Sequence, residues 1–299
     1  MRLLNGHALR VFDIAFAPDG RSLASNSLDG TVRVWDVTTG AGTVLVQIAE
    51  RNQFQTRRDV PDGFDRLAFT GGGQHLICRS AAAGIEIWDI GARYRCAALV
   101  GRGFAEYGSE LAATGDLVAA NVWSAEPFGT GLHLWDLATQ SGQVLYHTSD
   151  GGAFSGLAFD PAGRFLATNA GVFDVSTGAC VLEGLLWGDV LRWSPSGELI
   201  AGGVQYEGVQ VIEADTGTPV VSISLADKEL PRFQFSARGD YLATVENETV
   251  QVWDTAGWVK QREFAWKVGR LTCLSFSPDG HLAAAGTTRG QILLWDWDL

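Results

Sequence analysis

The stretch Leu23–Gly40, "LASNSLDGTVRVWDVTTG", decides the fold. An apolar run enters Asp29-Gly30, a two-residue hairpin signal of the type I′ kind, in which both central residues need positive φ. "TVRVWD" then alternates with the two-residue period of a strand and ends on Trp35-Asp36, and Thr-Thr-Gly turns the chain again. The ending recurs. "VRVWD", "IEIWD", "LHLWD", "VQVWD" and "ILLWD" place Trp at 35, 88, 135, 253 and 295, while the weaker "GVFD" and "VQVIE" put Phe173 and Ile212 in the same slot. A second marker keeps step with the first: "FAPDG", "FTGGG", "LAATG", "FDPAG", "WSPSG", "FSARG" and "FSPDG" end at Gly20, Gly73, Gly115, Gly163, Gly197, Gly239 and Gly280.

Two markers in one phase define seven units, with six or eight as the neighbouring counts, and a fixed period of this length signals a repeat architecture. Each unit reads as four strands joined by tight turns, and no helical period interrupts them. The composition agrees. Glycine supplies 37 of 299 residues and charged residues only 19%, which suits many short strands.

With Gly6-His7, "FAPDG", "LASNSLDGTVRVWD" and "TTG" in this order, the chain resembles the Trp-Asp (WD) repeat β-propellers. The resemblance implies an all-β fold of seven four-stranded antiparallel blades around a central channel. It also implies a buried hydrogen-bonded chain of His7, Ser25 or Ser27, Asp29 and Trp35. A buried indole N–H wants a partner, and a buried Asp is tolerable only when paired. Such a network fixes register more than it adds stability. The other units depart from it. The His position is Gly184 in the fifth and Lys267 in the seventh, and the Asp position is Asn247 in the sixth and Arg289 in the seventh. Trp88, Trp135, Trp253 and Trp295 are therefore expected to rely on apolar packing.

The chain ends at "ILLWDWDL", after a third strand, and begins at "MRLLNGH", which normally follows a fourth. Leu3 and Leu4 should complete the seventh blade, so residues 1–299 are expected to form one domain. Arg10 and Asp13 break the apolar run that a secretion signal requires. The four cysteines are scattered, with no nearby His to complete a zinc set, and read as reduced core residues of a cytoplasmic protein. A net charge of -12 opposes non-specific binding to nucleic acid or anionic lipid.

No Walker loop, nucleophile elbow, H-E-x-x-H, EF-hand loop or dinucleotide fingerprint is present, so no catalytic residue, cofactor or metal is expected. The informative irregularities are insertions. "ERNQFQTRRDVPDG" at 50–63 lengthens the path from the first unit to the second. "NVWSAEPFGTG" lengthens the third unit between its second and third strands, and reads as a loop. In the resembled family both connections emerge on one face. That face would carry Arg51, Phe54, Arg57, Arg58, Trp123 and Phe128, to which Tyr107, Trp187 and Tyr206 are added as exposed aromatics, since Arg, Trp and Tyr dominate interface energetics. The bland alternative is that these aromatics fold beneath their own loops. The resulting expectation is a non-catalytic scaffold that presents one face to a protein or peptide, an acidic one. Its rival is an enzyme or small-ligand receptor using the central channel, which would show polar residues where the first strands carry "DIAF", "RLAF", "GLAF" and "CLSF".

Overall fold

A computed structural model of the chain describes residues 1–47, 64–80, 84–100, 111–125, 128–148, 156–184, 188, 190–226 and 229–297. Every regular element among them is a β-strand, and no helix among them is long and apolar enough to cross a membrane. The chain opens with β1 (Arg2–Asn5), β2 (Val11–Phe16), β3 (Ser22–Ser27), β4 (Thr31–Asp36) and β5 (Gly42–Gln47). It continues with β6 (Phe64–Phe69), β7 (His75–Ser80), β8 (Gly84–Asp89) and β9 (Tyr94–Val100), then β10 (Leu111–Thr114), β11 (Leu117–Ala125), β12 (Phe128–Asp136) and β13 (Ser141–Thr148). There follow β14 (Ala158–Phe159), β15 (Phe165–Thr168), β16 (Gly171–Asp174) and β17 (Cys180–Glu183), and β18 (Val190–Trp193), β19 (Leu199–Val204), β20 (Gly208–Glu213) and β21 (Pro219–Ile223). The last are β22 (Arg232–Phe235), β23 (Tyr241–Glu246), β24 (Thr249–Asp254) and β25 (Lys260–Ala265), with β26 (Leu271–Phe276), β27 (Leu282–Thr287) and β28 (Gln291–Asp296).

These strands form seven four-stranded antiparallel blades, the all-β, seven-bladed architecture expected from the two markers. Six blades use consecutive strands, from β2-β3-β4-β5 to β22-β23-β24-β25. The seventh has the order β1-β28-β27-β26, so the N-terminal strand supplies its fourth member. Register is direct: Leu3 faces Leu293 and Leu4 faces Ile292. Leu4 is buried with Val11, Trp35, Ile292 and Leu294, and Arg2 donates to the carbonyls of Val37 and Thr38. The pairing covers what would otherwise be an open edge of β28. The chain divides into two compact units, one of Met1–Glu106 with Val268–Leu299 and the other of Tyr107–Lys267.

Turn chemistry sets the repeat. All seven marker glycines have positive φ, from +55° at Gly115 to +80° at Gly239, a region in which a Cβ is strained. Gly20 N–H bonds Ala17 O at 2.9 Å, and the bond recurs at Gly73, Gly163, Gly197, Gly239 and Gly280. Proline adds a contact between blades: a Cβ on Gly73 would lie 3.3 Å from Cδ of Pro18, and one on Gly239 would lie 3.4 Å from Cδ of Pro195. These two turns thus lean on their neighbours.

Two local expectations are corrected. At Leu28–Gly30 only Gly30 has positive φ, and its N–H bonds Ser27 O at 3.1 Å; this is a three-residue turn with a left-handed glycine, not type I′. The register Asn26↔Val32 leaves a three-residue loop, which needs only its last residue left-handed. The insertion in the third blade is not a loop. It extends β11 and β12 to nine residues each, paired from Leu117↔Asp136 to Ala125↔Phe128, as a two-stranded continuation of the blade.

The cores lie between blades, as sheet-on-sheet packing requires. In the first unit, Ala24, Val32, Leu45 and Val46 of the first blade meet Leu67, Leu76 and Cys78 of the second. In the second unit, Leu132 and Leu134 meet Leu157, Phe159, Leu166 and Phe173, and Val190 and Val211 meet Phe233, Phe235 and Leu242.

Candidate functional site

The buried polar chain of the first blade is assembled from two connections and two strands. Trp35, on β4, points its indole N–H at Ser25 Oγ of the neighbouring β3, 2.8 Å away. Ser25 Oγ lies 2.7 Å from His7 Nε2, and His7 Nδ1 lies 3.0 Å from Asp29 Oδ2. Asp29 also accepts from Ala8 N–H at 2.9 Å and from the Thr31 hydroxyl at 2.7 Å. Of the two serines open in the sequence, Ser25 holds the indole, while the Ser27 hydroxyl donates to Leu9 O at 2.9 Å. Thr31 is a member that sequence reasoning missed. Its signal was a Thr two residues after Asp29, at the start of a strand.

The directions close with a neutral imidazole. Burial is the largest influence on His7 and pushes its pKa below 6.5, against the pull of Asp29. Nδ1–H then donates to Asp29, and Nε2 accepts from Ser25 O–H, whose oxygen accepts the indole N–H. The His7–Asp29 contact is therefore a neutral-to-anion hydrogen bond rather than an ion pair. Burial alone would raise the Asp29 carboxyl, but donors from Thr31 and Ala8 outweigh it and hold the group below 3.8.

In the other blades the tryptophans are less dependent on apolar packing than expected. Trp253 Nε1 donates to Thr244 Oγ1 at 3.1 Å, the slot equivalent to Ser25, and Trp88 Nε1 donates to Glu86 Oε2 at 3.2 Å. The aspartate that follows Trp works in the turn. Asp36 Oδ1 accepts from the Thr39 N–H at 2.6 Å and hydroxyl at 2.8 Å, and Asp174 accepts likewise from Ser176 and Thr177.

The residues proposed from sequence for partner contact fall unevenly. Arg51, Phe54, Arg57, Arg58, Tyr107 and Trp187 lie outside the described residues. Trp123 sits on β11 opposite Thr130, and Phe128 opens β12 opposite Ala125. Tyr206 lies in the turn between β19 and β20, 68% exposed and at φ +70°. A non-glycine residue held there with its ring in solvent is costly in backbone terms. First-strand side chains such as Ile14, Phe16, Leu67, Phe159 and Cys273 are buried in the clusters between blades.

Seven four-stranded blades, turn glycines in phase and a His-Ser-Trp-Asp chain together give this chain the architecture of a WD-repeat β-propeller. The family description "WD domain, G-beta repeat" matches residues 1–36 and 261–296, which are the network-bearing first blade and the blade completed by β1. The chain is similar to nuclear distribution protein nudF of Emericella nidulans, 31% identical over 102 residues, which is 34% of this chain and 21% of that protein. It is also similar to U3 small nucleolar RNA-associated protein 21 of Saccharomyces cerevisiae, 36% identical over 98 residues covering 32% and 9% of the two chains. Ribosome biogenesis protein ERB1 of Ajellomyces capsulatus is 35% identical over 100 residues, 31% of this chain and 13% of its own length. The matched stretches thus span about a fifth or less of these relatives.

Proposed function

We propose that the chain is a non-catalytic interaction platform that presents rim elements to a protein or peptide partner of acidic character. The observation that carries this reading is the β11–β12 hairpin. Its strands run nine residues each, where the second and third strands of the other blades run four to six. The hairpin outreaches its counterparts, and its extension carries Trp123 and Phe128, residue types that anchor interfaces. The basic insertion with Arg51, Phe54, Arg57 and Arg58 is proposed as a second contact element, and Tyr107, Trp187 and Tyr206 as further aromatic contacts. A guanidinium cluster in a chain of net charge -12 favours a local acidic ligand over nucleic acid, whose affinity is set by overall neutralisation of phosphates. The similarity of its matched stretches to WD-repeat proteins supports binding rather than catalysis. None of the four cysteines is in a disulfide, which supports a reducing compartment, for which we propose the cytoplasm.

Affinity purification from the native cell, read by mass spectrometry, tests the reading. Trp123→Ala with Phe128→Ala, and separately Arg57→Glu with Arg58→Glu, should each lose a partner that wild type retains. Retention of every partner by both variants would remove the proposed contacts.

A further inference from the structure

Sequence spacing gives no metal set, yet strand pairing brings one together in the second blade. His75 is the first residue of β7 and Asp89 the last of β8, and the two are direct register partners. On β9, Tyr94 faces Asp89, Arg95 faces Trp88 and Ala97 faces Ile87, which leaves Cys96 unopposed in a bulge. Bulges re-aim side chains. One ligand atom from each of His75, Asp89 and Cys96 lies within 4.8 Å of the others, with His75 Nε2 3.9 Å from Asp89 Oδ2.

A second blade shows that this slot reaches the aspartate by construction. In the sixth blade Tyr241 pairs with Asp254 as His75 pairs with Asp89, and Gln261 occupies the same bulge as Cys96. The Gln261 amide donates to Asp254 Oδ2 at 2.7 Å. The equivalent bulge residues elsewhere, Val181 and Val220, offer no ligand atom. Among the described residues, only the second blade fills all three slots with metal-binding side chains.

From this geometry we propose that His75, Asp89 and Cys96 form a solvent-accessible site for a divalent zinc-like ion. Imidazole nitrogen, carboxylate oxygen and thiolate sulfur are the donors zinc takes, at about 2.0 to 2.3 Å. Around such an ion, tetrahedral donors stand roughly 3.5 Å apart, so the observed separations close by small rotations of side chains that are partly or fully exposed. Asp89 is pre-oriented: its Oδ1 accepts the Ala92 N–H at 2.6 Å, which leaves Oδ2 toward the site. Such outer hydrogen bonds fix ligand carboxylates. The neighbouring Arg95 is tied to Glu86 at 2.6 Å. Binding replaces the Cys96 thiol proton with the metal and releases that proton to solvent. Three protein donors leave a fourth position for water or for a donor from a partner, and the bound ion staples β7, β8 and β9 together.

Cobalt(II) titration of the full chain tests the site, because a tetrahedral thiolate complex gives visible ligand-field bands and a near-ultraviolet sulfur-to-metal band. One cobalt per chain should produce both, and zinc should displace it. Cys96→Ser should abolish the sulfur band, and it and His75→Ala should each weaken zinc binding at least about tenfold, whereas Cys180→Ser changes nothing. Zinc should also shield Cys96 of the wild-type chain from alkylation, read by peptide mapping, a measurement that needs no variant to fold. Absence of the thiolate band, unchanged binding in both variants, or equal alkylation with and without zinc would overturn the proposal.

Discussion

Replacing Ser25 by Ala is the sharpest probe of the polar chain. Ser25 has no exposure, and its partners Trp35 and His7 are 1% and 7% exposed. The substitution takes the acceptor from the indole N–H and the donor from His7 Nε2, and no water can replace either without entering the packed cluster. Each buried group left unpaired costs about 1 to 3 kcal/mol, so Ser25→Ala should lower stability by about 2 to 4 kcal/mol, far more than its single oxygen would otherwise warrant. Trp35→Phe removes the indole donor, so in the double variant only His7 is left unsatisfied. The double variant should be less destabilised than the sum of the singles by roughly 1 kcal/mol or more, a coupling expected only for groups in direct contact. Urea unfolding gives all four corners of the cycle, provided the slope with denaturant is the same in each. A loss below about 0.5 kcal/mol for Ser25→Ala, or additivity within error, would refute the directional network, because every step of the estimate depends on both bonds being made.

Other outcomes follow from the same geometry. Gly73→Ala places a Cβ at φ +69° and 3.3 Å from Pro18, whereas Gly115→Ala has φ +55° and nothing within 4 Å. Both should pay about 1 to 2 kcal/mol for the left-handed backbone, with Gly73→Ala the costlier by urea unfolding. Leu4→Ala, which empties a site 1% exposed beneath Trp35, should cost about 2 to 5 kcal/mol, read by the same assay. His7 is held neutral by burial, so the unfolded chain binds its proton first. Its contribution is complete above pH 6.5 and is lost as pH falls from there toward the folded value, with a second loss through Asp29 below 3.8. A stability-versus-pH series should show the upper limb in wild type and lack it in His7→Gln.

What could be read from the sequence was local chemistry. A left-handed turn needs Gly20 or Gly73, and a buried indole needs a hydroxyl such as Ser25, so both markers stood out at single positions. The same rule points to Ser25 but not to Thr244, because the sixth unit carries Asn247 where the first carries Asp29 and the set around its hydroxyl is incomplete. The β11–β12 extension escaped because Pro127 and two glycines within "NVWSAEPFGTG" resemble a loop, whereas pairing with the opposite strand settles it as a hairpin. Asp29-Gly30 marked the right turn at the wrong type, since the register that adds Leu28 to the loop is not a property of a dipeptide. The His75-Asp89-Cys96 cluster was illegible for a stronger reason. Register and a bulge on β9 create it, and neither is a property of any short stretch.

Native-state hydrogen exchange along β28 tests the architecture most directly. With β1 in place, the amides of Gln291–Asp296 should be protected as well as those of β27, and removal of residues 1–5 should release about half of them while β27 stays protected. Free exchange along β28 in the intact chain, or protection unchanged by the deletion, would contradict a seventh blade completed by the N-terminal strand.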